Sequence, residues 1–178
     1  MGSASRSCSL FRHSVESLSA ERYWSGTAFK LGEKAMKYNL KACAPDSSSP
    51  VSDDPDFLGH RLARSVAAEG MCWILGVQIQ VDSIRTPIEE GIVEWTEELS
   101  PTLPVARITI PRQDISYPKV AEACVNLNFT PWYSIEEHRP LGRFNRVRRP
   151  TYATAHKFFN GGEMPKDPGS FSVKLIQP

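Results

Sequence analysis

Arg148, Tyr152 and His156 follow one another at intervals of four residues. On a helix this spacing puts all three on one face, with neighbours about 6 Å apart. An arginine within a few ångströms of a tyrosine hydroxyl favours the phenolate. A metal ion on the oxygen adds to that drive, because a bound cation is the largest local charge. The same spacing also describes an amphipathic stripe with a hydrogen-bonded tyrosine, and on spacing alone that is the simpler reading. Pro150 weakens the helical geometry, since proline suits a first turn and kinks an interior. A helix beginning at Arg149 leaves Arg148 off its regular face.

The stretch 139–149, RPLGRFNRVRR, holds five arginines and no acid. It reads as an anion site, as a nucleic-acid patch or as a solvated face without a ligand. Nucleic acid is the weakest of the three, because aromatics do not interleave with the arginines as a stacking platform requires. Lys+Arg 21 against Asp+Glu 20 gives a net charge of +1, so no global field drives binding to a polyanion. His60 reads as solvated on the polar face of its helix, His138 as a loop or capping residue, and His13 as part of an N-terminal arm. Glu89, Glu90, Glu94, Glu97 and Glu98 fit no EF-hand spacing and read as an acidic, solvated connection.

These residues need elements to hold them. The segments 27–31 and 35–43 read as strands around a turn at Gly32 and Glu33. In the second, Met36, Tyr38 and Leu40 alternate with Lys37, Asn39 and Lys41, which predicts one buried face and one wet face. Residues 45–56 are a loop by composition. A helix over 57–69 follows, with Asp56 placed to cap it. Strands are predicted at 71–81 and 105–110, joined by the acidic connection 83–104. A short helical stretch lies in 117–127, a loop in 128–142 and a helix over 143–159. The expected class is α+β with antiparallel strands. Four strands are few for a closed barrel, which takes about eight. Open edges invite a second chain or a second copy, and the chain reads as half of something larger.

The 178 residues suit one domain. Fourteen prolines argue against a plain helical bundle. No run approaches the 18 or so apolar residues of a membrane span. Residues 1–14 carry two arginines, five serines and no acid, which resembles a mitochondrial presequence or a disordered arm. Cys8, Cys43, Cys72 and Cys124 show no CxxC spacing, so free buried thiols and a reducing, cytoplasmic compartment are expected rather than disulfides.

Three stretches carry a resemblance: ERYWSGTAFKLGEKAMKYNL, TPIEEGIVEWTEELSPTLPVARITIPRQ and NLNFTPWYSIEEHRPLGRFNRVRRPTY. Together they resemble the catalase-related peroxidase branch of the haem catalase superfamily, from about residue 15 to about residue 160. The resemblance implies an antiparallel catalase-like β-barrel, in part, followed by C-terminal helices. The chain then divides into an arm (1–14), a partial, proximal haem domain (15–160) and a tail (161–178). It also implies haem b as cofactor, with a tyrosine holding the iron as in catalases. The family's Arg-x-x-x-Tyr pattern falls on Arg148 and Tyr152, and the histidine that often follows falls on His156. Tyr152 is then the axial ligand and Arg148 its electrostatic partner. Arg143, Arg146 and Arg149 become candidates for the haem propionates.

The implied activity is reduction or decomposition of hydrogen peroxide or organic hydroperoxides. Phe159 departs from the family, standing where catalases often carry a further arginine, and so does Tyr133, which replaces an expected histidine. The family's distal histidine and asparagine have no counterpart, and the surroundings of His13 do not match. Peroxide cleavage needs a base to move a proton between its oxygens, so catalase-scale turnover is not expected from this chain alone. The alternative is a non-catalytic haem- or partner-binding remnant.

Overall fold

The computed structural model describes residues 15–44, 54–115, 127 and 129–160. The predicted arm, tail and helical stretch at 117–126 lie outside these residues. Among them, five strands form one antiparallel sheet: β1 (Tyr23–Trp24), β2 (Phe29–Leu31), β3 (Lys34–Ala42), β4 (Met71–Ile79) and β5 (Leu103–Ile110). The two helices are α1 (Phe57–Ala68) and α2 (Gly142–Asn160). The class is α+β, and the sheet does not close into a barrel.

The order is β1-β3-β4-β5, with β2 also paired to β3. Central β3 and β4 run in register from Met36↔Ile79 to Ala42↔Trp73. The alternation in β3 delivers Met36, Tyr38 and Leu40 to one face. Met36 packs there with Phe29 and Val77, and Leu40 joins Val66, Met71 and Trp73 beneath α1. Helix α1 ends at Ala68, and Gly70, with a φ of +75°, lets the chain turn directly into β4. A Cβ at that position would meet the Ile110 carbonyl oxygen at 2.5 Å. Asp56 occupies the capping position without a side-chain cap bond. The Asp54 carboxylate does that work instead, accepting from the Asp56 N–H and pairing with His60.

The opposite face of β3 is not wet, contrary to the alternation read from sequence. Lys37 and Asn39 are buried, and only Lys41 is exposed. The acidic connection covers this face through its backbone and its buried Trp95 and Ser100, while Glu89, Glu94, Glu97 and Glu98 stay exposed as expected. Gln78 donates to the carbonyls of Trp95 (2.6 Å) and Ser100 (2.8 Å), and the Ser100 hydroxyl donates to Ile79 (2.8 Å). The Lys37 ammonium donates to the Val93 carbonyl at 2.9 Å and lies over the Trp95 ring. Burial lowers the pKa of Lys37, partly offset by Glu94. The connection binds this polar sheet face because the Gln78 amide and the Lys37 ammonium find its backbone carbonyls and the Asn39 amide finds the Thr102 hydroxyl.

Strand β5 starts two residues earlier than the alternation suggests and includes Pro104. It is tolerated because the register slips between Leu75 and Gly76, where Gly76 faces Pro104, and because β5 pairs with β4 alone among the described residues. Its residues are exposed up to Ile110.

The cysteine expectation fails for one pair. Cys43 and Cys72 form a disulfide across the ends of β3 and β4, and Cys43 is exposed rather than buried. The β3–β4 register continues one step beyond Ala42↔Trp73, with the Cys43 N–H bonded to the Cys72 carbonyl, and this sets the two side by side. Pairing 29 residues apart in sequence is a property of register and invisible to local spacing. The inference to a reducing compartment loses its support with it. No helix among the described residues is long and apolar enough to cross a membrane.

Candidate functional site

Segment 137–141 lies along β2 and delivers α2 to the sheet. Lys30 N–H bonds to the Arg139 carbonyl (2.9 Å), Gly32 N–H to Glu137 (3.1 Å), and Leu141 N–H to Ala28 (2.9 Å). Helix α2 then starts at Gly142, whose φ of +82° and lack of a side chain let it pass against the Ile88 carbonyl.

Asn145 fixes the first turn of α2. It is fully buried, and its Nδ2 donates to the carbonyls of Ala28 (3.0 Å) and Leu141 (2.8 Å). Its Oδ1 accepts from Thr27 Oγ1 (3.2 Å) and from Arg148 Nη1 (3.2 Å). Its own carbonyl accepts from the Trp132 indole at 2.8 Å. Sequence reading passed over Thr27 and Asn145. Both are short polar residues whose burial is decided by partners more than a hundred positions away.

Arg148, Tyr152 and His156 all fall in α2, so the spacing is realised as one helical face. The helix runs through Pro150 without ending. Pro150 removes an N–H from the Arg146 carbonyl, but both residues are exposed, where water can replace the bond. Arg148 is partly buried and turns to the sheet, donating from Nη1 to Thr27 Oγ1 at 3.1 Å as well as to Asn145. No hydrogen bond joins Arg148 to Tyr152. Tyr152 is 38% exposed, and His156 is partly buried. The charge of Arg148 is felt by Tyr38 on β3: burial raises the Tyr38 pKa, and Arg148 pulls it back.

The other arginines of the segment have partners. Arg146 meets Glu89 in two parallel bonds of 3.0 and 2.8 Å, Arg143 meets Glu90, and Arg139 meets Glu136 at 2.8 Å. Arg149 lies 4.9 Å over the Trp132 ring. The Arg146 bond holds the Glu89 carboxyl below its ordinary pKa, and Glu89 raises that of Arg146. Arg143 and Arg146, candidates for propionates by resemblance, are therefore engaged with the protein's own carboxylates. The acidic connection and the basic segment, read separately in the sequence, are joined to each other. His138 sits in a 3-10 turn, Glu136–His138, and is exposed.

Among the described residues, no three His, Cys, Asp or Glu side chains gather as ligands for a bare metal ion. The haem that the resemblance implies would ask of this helix one axial donor, with a cation nearby that favours its ionised form. An accessible phenol with a guanidinium one turn earlier on the same helix fits that donor set in kind.

Three solved structures share this architecture. A fungal catalase superposes with a TM-score of 0.65 at 14% identity, over 85% of this chain and 33% of its own. Catalase A from Saccharomyces cerevisiae gives 0.62 at 12%, over 80% and 32%. A bacterial catalase gives 0.58 at 15%, over 80% and 30%. The fold is catalase-like. The chain spans about a third of the length of those catalases. Identities this low bear on the fold alone and do not separate the peroxidase branch from other catalases. No protein-family profile and no curated protein sequence matches the chain.

Proposed function

We propose that this catalase-like chain carries the proximal side of a haem b site that acts on hydrogen peroxide or organic hydroperoxides. Tyr152 would hold the iron through its phenolate oxygen, Arg148 would supply the cation that favours the phenolate, and His156 would flank them one turn on. The supporting observation is that a catalase-like fold carries Arg-x-x-x-Tyr on one continuous helix with the tyrosine side chain accessible. Bound haem supplies iron redox chemistry toward peroxide. The chain's own part is to bind the iron and to set a fixed positive charge near the ligand. Proton transfer within the peroxide is assigned to no residue here.

The test is a titration with ferric haem followed by visible spectroscopy, beside Tyr152→Phe. A saturable high-spin tyrosinate spectrum lost in the variant supports the reading, and a peroxidase assay then measures turnover. Absence of specific uptake by the folded wild-type chain refutes it.

One observation favours a second reading, a partner-binding protein. Among the described residues, strand β5 is paired on one side only and exposes Leu103 and Val105. Unpaired apolar edges template association. Light scattering after size exclusion distinguishes a monomer from an assembly.

A further inference from the structure

Arg148 differs from the other arginines near it. Arg139, Arg143 and Arg146 each pair with a glutamate, and Arg149 rests on an aromatic ring. Arg148 has neither. It is partly buried, and both of its hydrogen bonds leave from one nitrogen, Nη1, toward two neutral oxygens, Thr27 Oγ1 and Asn145 Oδ1. Its Nε and Nη2 have no hydrogen-bond partner among the described residues.

A guanidinium offers five donors in a rigid fork. Anchoring one end with neutral acceptors fixes its position and leaves its charge uncompensated. A carboxylate in the same place would fix it equally well and cancel that charge. The anchors are themselves immobile. Asn145 is fully buried with both ends of its amide bonded, and Thr27 is buried between β1 and β2.

We propose that Thr27 and Asn145 are positioning residues that hold Arg148 as an uncompensated cation at the base of the Tyr152 helix. This purpose rests on the haem reading above, whereas the anchoring does not. Thr27 acts through Arg148 and touches no haem. Its loss should weaken haem binding and shift the tyrosinate charge-transfer band without unfolding the chain.

Two measurements on the full chain test this. The first needs no haem. Tyr38 senses Arg148, so its ionisation, followed by NMR of 13C-labelled tyrosine and assigned with Tyr38→Phe, reports the cation's position. Arg148→Gln should move the Tyr38 titration to higher pH. Thr27→Val should move it in the same direction, and Thr27→Ser, which keeps the hydroxyl, should restore it. A Thr27→Val titration equal to wild type, or no movement in Arg148→Gln, overturns the proposal. If Thr27→Val fails to fold, Thr27→Ala, which also removes the hydroxyl, replaces it and should likewise raise the Tyr38 titration; an unchanged titration overturns the proposal.

The second measurement is ferric haem affinity and band position. Thr27→Val is expected to bind roughly tenfold more weakly, as loss of one hydrogen bond to a charged group implies, with Thr27→Ser near wild type. Equal affinity and equal spectra in Thr27→Val and wild type overturn the link to the ligand. If wild type itself takes up no haem, the haem reading fails, and the Tyr38 titration alone decides the anchoring.

Discussion

Arg146 grips Glu89 with two parallel hydrogen bonds, Nη1 to Oε1 at 3.0 Å and Nη2 to Oε2 at 2.8 Å, across 57 positions of sequence. The pair ties the connection between β4 and β5 to the first turns of α2, and Arg143 with Glu90 repeats the link one turn earlier. Replacing both glutamates with glutamine should turn the segment into an open cationic patch. The double variant should then elute from a heparin column at higher salt than wild type, because exposed charges act through a screened field. Identical elution would mean these ion pairs do not form in solution.

Asn145→Ala should be among the most damaging substitutions outside the apolar core. It removes one of two donors from the Ala28 carbonyl, which keeps the Leu141 N–H, a side-chain donor from the Leu141 carbonyl, and an acceptor from Arg148. Each lost hydrogen bond contributes about 0.5–1.5 kcal/mol net, so together a loss of roughly 2–3 kcal/mol is expected in urea unfolding. A loss under about 1 kcal/mol would show that the first turn of α2 is not fixed here.

Glu97 sets an acid limit for the connection. It accepts from the Thr102 N–H (2.9 Å), Arg22 (2.6 Å) and the Thr102 hydroxyl (2.7 Å), which bring its carboxyl from 4.5 down to about 2. A depressed folded pKa stabilises above the unfolded value, and that contribution fades as pH falls through the folded one. The window is therefore pH 4.5 down to about 2. Because Glu97 is half exposed, solvent screening keeps the effect modest. The difference in melting temperature between wild type and Glu97→Gln should shrink across that window, and a Glu97 carboxyl titrating near its ordinary value would contradict this.

Reducing the Cys43–Cys72 bond should destabilise the chain. It closes a loop of 29 residues that includes α1. Chain entropy puts the effect at about 3–4 kcal/mol. Urea midpoints with and without reductant, in a Cys8→Ser, Cys124→Ser background, measure it. Equal midpoints would mean that the pair is not joined in solution.

The sequence by itself determined the elements and their class. Period-two alternation located β3 and β4, helical spacing located α1 and α2, and both held within one or two residues because they depend on nearest neighbours along the chain. The spacing also offered one helical face for Arg148, Tyr152 and His156, but Pro150 left that open until α2 ran from Gly142 through it. What only the tertiary structure decided is what those elements meet. Lys37 and Asn39 look solvent-facing by alternation but lie beneath the acidic connection, since alternation names a face without saying what covers it. Cys43 and Cys72 look like separate thiols until the register of β3 and β4 makes them neighbours. Thr27, Asn145 and Arg148 converge only when β2 and α2 dock, and five arginines read as one basic cluster become three ion pairs, one stacked cation and one uncompensated charge. Local pattern follows from backbone geometry repeated every two or 3.6 residues, whereas partnership across a hundred residues is set by packing and has no period to read.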